Sequence, residues 1–185
     1  MTPRILLASA ILALLVTAPL SAQHPRRETM TASEIEEVRE SAIFPLQRVK
    51  VYTRITEEHA ARVKDLAGRP RSQQRTQRLD DALQNLTSLM DELGSNLDVY
   101  SDRHSDIRKA LKPLAEAVPR WLTILRVLPG ESGFDLSRKE AIESGEELAD
   151  QATRLLHEQE DYFATRKDER GQDREDPTLE AKPKQ

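Results

Sequence analysis

The chain has 185 residues, 28 Lys and Arg against 32 Asp and Glu, a formal net charge of −4 and no cysteine. That length fits one domain with tails, and 37% hydrophobic with 4% aromatic residues fills a narrow core but not a wide one. Absence of cysteine excludes disulfide frameworks, thiolate metal sites and c-type haem attachment, and the mildly acidic balance argues against a dedicated nucleic-acid binder.

Residues 1–22 read as a secretory signal peptide. Arg4 gives the positive start, residues 5–20 give an uncharged apolar stretch, and cleavage is expected after Ala22. The alternative is an uncleaved N-terminal anchor. No later segment is apolar enough to cross a membrane, so the mature chain is expected in a bacterial periplasm or secreted. Residues 23–30 are polar and read as a flexible lead-in.

Residues 31–168 are expected to form one all-α domain, because Leu, Ala, Glu, Arg and Gln dominate and no alternating strand pattern occurs. A first helix is expected over 32–67. Thr31 or Ser33 would cap it, with Glu34 or Glu36 as reciprocal partner. Pro45 should bend this helix, and Gly68 with Pro70 should end it.

The strongest pattern runs over 79–128. Positions spaced four and three apart read Leu79, Leu83, Leu86, Met90, Leu93, Leu97, Tyr100, His104, Ile107, Leu111, Leu114, Val118, Trp121, Leu125 and Leu128. All but His104 are apolar or aromatic, which predicts one long middle helix with a heptad seam. Pro113 and Pro119 lie off the seam and should kink this helix; the alternative is a break near Lys112. A last helix is expected over 136–166, after the turn around Pro129 and Gly130. Residues 169–185 are rich in charge, with Gly171, Pro177 and Pro183, and read as a disordered tail.

Short connections make neighbouring helices antiparallel. The expected architecture is therefore an elongated antiparallel bundle or coiled coil of three long helices, or of four if the middle one breaks. Part of the middle helix would then keep a half-covered apolar face.

Few residues suggest chemistry. His59 and His104 occupy heptad positions and read as a register-setting polar core. A haem or metal site using His104 is the alternative, but hairpin counting puts the two histidines in different layers and points His157 outward. Adjacent acids such as Glu57-Glu58 and Glu146-Glu147 diverge on a helix and make no acid–base couple. No nucleophile-elbow, zinc-protease or phosphate-loop pattern occurs, so no enzyme activity and no cofactor are expected.

The first hairpin tip carries Arg69, Arg71, Arg75 and Arg78 with no acid between Leu66 and Leu79. These arginines are candidate anion-binding residues. Two functions follow as expectations. The first is a non-enzymatic helical interaction or structural protein of the bacterial envelope, associating with itself or an envelope partner. The second is a module that binds an anionic surface or polymer through the arginine tip.

Overall fold

The computed structural model describes residues 29–170. The signal-peptide reading, lead-in residues 23–28 and tail residues 171–185 lie outside the described residues. Among the described residues the chain is all-helical, with α1 (Ala32–Glu40), α2 (Pro45–Gly68), α3 (Gln73–Asp102), α4 (Arg108–Arg126) and α5 (Asp135–Thr165). A 3-10 turn, Lys167–Glu169, follows α5.

The first helix expected from sequence is two. Thr31 and Glu34 form a capping box that starts α1. Phe44, forced out of the helical region by the proline after it, is extended (φ −118°, ψ 91°), and Pro45 occupies the first turn of α2, where its missing N–H costs nothing. Pro45 therefore starts a helix instead of bending one.

The middle helix is also two, and the break is neither a kink at Pro113 or Pro119 nor a stop near Lys112. It lies at residues 103–107. His104 is left-handed (φ 53°). Its N–H donates to Ser101 O at 2.9 Å, and the Ser105 N–H donates to Tyr100 O at 3.0 Å. That pair of bonds is a Schellman ending with His104 where glycine is usual. Gln159 of α5 completes the turn: its Oε1 accepts from Ile107 N–H at 3.1 Å and its Nε2 donates to Ser105 O at 2.8 Å. Pro113 and Pro119 sit inside α4 on its exposed side. There, water can serve the carbonyls they leave without an amide partner.

This break folds the expected long rod into a four-helix bundle. Helix α2 packs on α3 and α4, and α5 packs on the same two, so α2/α5 and α3/α4 are the diagonals. The α3–α5 pair is parallel, since Asp80, Asp91 and Asp98 meet Ser137, Ser144 and Gln151 in the same order. The chain thus forms two antiparallel hairpins, α2–α3 and α4–α5, joined by a diagonal link.

The seam positions from Leu79 to Leu128 are buried apart from His104. The half-covered apolar face expected on a long middle helix is therefore absent among the described residues. One chain supplies all four sides of its own core, and burial of these side chains, each worth about 1.5–3 kcal/mol, is the main stabilising term.

Candidate functional site: the twin-hairpin end

Two helix connections come together at one end of the bundle, residues 69–72 of the first hairpin and 127–134 of the second. Ser72 caps α3 by accepting from Arg75 N–H at 3.1 Å. This fixes Arg75 in the first turn of α3, 5% exposed. Its Nε donates to Leu66 O at 3.2 Å and its Nη2 to Ala67 O at 3.1 Å. Those carbonyls belong to the last turn of α2, where the helix's own amides run out, although Leu66 O also accepts from Arg69 N–H at 3.2 Å. Arg75 thus supplies donors to α2 from the next helix.

The other arm of Arg75 crosses to the second hairpin, where Nη1 lies 3.2 and 3.1 Å from the two carboxylate oxygens of Glu131. Arg71 adds a looser contact to Glu131 at 3.4 Å. Beside them the hairpins nearly touch: a Cβ on Gly133 would lie 2.3 Å from Thr76 Cγ2. The end is therefore one packed unit. Outside it stand Val127, 75% exposed, and Leu136, 68% exposed, while Phe134 between them is buried.

The four arginines read together from sequence divide: Arg71 and Arg75 meet Glu131, while Arg69 and Arg78 line one groove between α2 and α3. Arg75 is buried and structural. Arg69 pairs with Asp65 at 2.5 Å. Arg71 is 78% exposed at its side chain. Arg78 is exposed and lines a groove between α2 and α3 with Arg62 and His59. The structure brings Arg71 and Arg75 onto one carboxylate and leaves Arg78 a turn away.

The two histidines also part. His59 is buried, and its Nε2 lies 3.1 Å from Glu34 Oε1. Burial lowers its pKa against the opposing pull of Glu34. Glu34 must offset its own burial, and the Thr31 hydrogen bonds and His59 hold its pKa below the usual carboxylate value. His104 is not a core residue; it is an exposed turn residue stacked on Tyr162, with ring centroids 4.6 Å apart. It departs from the seam because the chain turns there. His157 is exposed. Among the described residues no group of three or more His, Cys, Asp or Glu is placed to hold a metal ion.

Register is set by residues the sequence reading passed over. Ser137, Ser144 and Gln151 recur every seven positions on α5 and donate to Asp80, Asp91 and Asp98 of α3. Gln151 also donates to Gly94 O at 3.0 Å, and a Cβ on Gly94 would crowd that side chain at 2.9 Å. On the opposite face the Trp121 indole N–H of α4 donates to Glu57 of α2, and between α2 and α3 the Tyr52 hydroxyl donates to Glu92. The heptad spacing of small polar residues on α5 was the available signal.

No family model, curated protein or solved structure matches the chain. No described helix is long and apolar enough to cross a membrane.

Proposed function

We propose that the chain is an exported, non-enzymatic interaction protein of the bacterial cell envelope that meets its partner through the twin-hairpin end. The observation that carries this reading is the exposure of Val127, Leu136 and Arg71 on an end that Arg75 holds together. Large apolar side chains left exposed on a rigid surface favour protein association. The apolar stretch of residues 5–20 supports export. Coiled-coil association through a shared heptad seam draws no support from seam positions already buried in one chain, so the contact is assigned to the end.

Photocrosslinking from position 127 in native envelopes, with light scattering of the purified chain, tests this reading. A defined adduct from position 127, absent from the exposed position 143 and lost in a Leu136→Asp background, is the expected result. A monomer at every concentration with no adduct refutes it.

A second reading is an anion-binding module, favoured by the exposure of Arg71 on the same end. Replacing Arg69, Arg71 and Arg78 with Gln, while keeping the structural Arg75, should abolish salt-sensitive binding to anionic vesicles. Unchanged binding sinks it.

A further inference from the structure

Residues 103–107 turn the chain where its sequence would let a helix continue. No glycine or proline occurs from Ser95 to Lys112. The four-three spacing of Tyr100, His104 and Ile107 carries the apolar seam through the link unbroken. His104 takes the left-handed conformation all the same (φ 53°), alone among the described non-glycine residues.

The helix ends on either side suit a helix interior better than a terminus. The last turn of α3 holds Asp102 and no basic residue. Helix α4 opens on Arg108 and Lys109, with no acid in its first turn and no side-chain cap on its amides. These charges oppose the helix dipole where they stand, and within a continuous helix they would not. Arg108 offsets part of this by pairing with Asp106 at 2.7 Å. A helix running through the link would also satisfy from within the groups that Gln159 now serves: Ile107 N–H would donate to Arg103 O, and Ser105 O would accept from Lys109 N–H. Within one chain that helix is forbidden, because it carries the α4–α5 hairpin off the faces it covers on α2 and α3.

We propose that two copies of the chain exchange these hairpins. In each chain residues 103–107 become helical, α3 and α4 join into one helix from Gln73 to Arg126, about 80 Å long, and the α4–α5 hairpin docks on the α2–α3 hairpin of the second copy. Every contact between hairpins in the single chain recurs between chains, including Ser144 with Asp91 and Trp121 with Glu57. The occupant of each uncovered face is therefore fixed as another copy of the same sequence, and no apolar face beyond those already buried is needed. The geometry closes. Helices α3 and α4 sit on a diagonal and run oppositely, so a two-fold axis across the link sets each chain's α4 in line with its own α3. The exchange gives up the Schellman bonds and both Gln159 bonds in each chain, and gains a relaxed residue 104 and two fewer helix ends. Short strained links favour such exchange, and the exchanged form grows with chain concentration.

Refolding the purified chain from urea at low and high concentration, followed by size-exclusion chromatography with light scattering, tests the exchange. Monomer at low concentration and a rising dimer fraction at high concentration are the expected result. His104→Gly relaxes the turn and weakens the continuous helix, and should lower the dimer association constant by at least about tenfold. His104→Ala, which the left-handed turn disfavours and a helix accepts, should raise it. Asp91→Cys with Ser144→Cys, bridged by a short bismaleimide in a chain with no other cysteine, reports which copy supplies each hairpin. An exchanged dimer yields linked pairs of chains on a denaturing gel, and the monomer yields internal links. A chain that is monomeric after every refolding overturns the proposal. So does a dimer cross-linked only within its chains, or a dimer fraction indifferent to both His104 variants.

Discussion

Arg75 offers the sharpest test of how the two hairpins are held together. Arg75→Ala removes donors from Leu66 O and Ala67 O and leaves Glu131 at the junction with the looser contact to Arg71. Deleting one partner of a buried ion pair costs about 3–5 kcal/mol. Glu131 retains some access to water, its side chain being 20% exposed, which places the loss at the lower end, about 3 kcal/mol. For a domain of this size that corresponds to a fall in Tm of about 10 °C. Arg75→Lys keeps the charge but not the planar fork that reaches both carbonyls and the carboxylate, so it should lose roughly half as much. Arg71→Gln, at an exposed side chain 3.4 Å from the same Glu131, should stay within about 0.5 kcal/mol. Thermal and urea melts followed by circular dichroism give all three values. If Arg75→Ala and Arg71→Gln melt together, the junction does not depend on this guanidinium and the reasoning fails.

Three further substitutions probe other joints. Gln159→Leu preserves volume but leaves Ile107 N–H and Ser105 O without partners; the expected cost is about 3 kcal/mol, with hydrogen exchange accelerating first at residues 103–108. At His104 the backbone is left-handed, so the glycine variant should exceed the alanine variant in stability by about 1 kcal/mol in denaturant melts; equal stabilities would argue against the Schellman ending. Gly133→Ala should destabilise by about 1–3 kcal/mol through its clash with Thr76 Cγ2, and Thr76→Ser, which removes that methyl, should restore most of the loss in the double variant.

The helical class and the buried seam were legible because Leu79 to Leu128 repeat with a period that only packed helices use. The break was not. Tyr100 and Ile107 are seven residues apart with His104 between them, so heptad counting passes through the turn without a fault. The residue in the glycine position is a histidine, which removes the usual punctuation. Pro113 and Pro119 drew attention to the wrong place, because a proline on the wet side of a helix is tolerated where a buried one is not. At the site, a run of arginines reads as exposed charge, since arginine is seldom fully buried unless paired. The partner that buries Arg75, Glu131, lies 56 residues away in sequence, and no local pattern announces it. His59 was legible as a buried polar residue from its seam position, whereas its contact with Glu34 depended on α1 folding back at Pro45.

The diagonal link has a consequence for how the chain comes together. Each hairpin is made of sequence neighbours and closes on short loops, whereas the α2–α4 and α3–α5 faces join helices that run the same way and must dock as finished surfaces. The molecule is in this sense a heterodimer of hairpins written on one strand. A cut at residues 103–104 would interrupt the covalent path while leaving the Gln159 bonds to Ser105 and Ile107 in place, so the link keeps the halves at high mutual concentration as well as closing the turn.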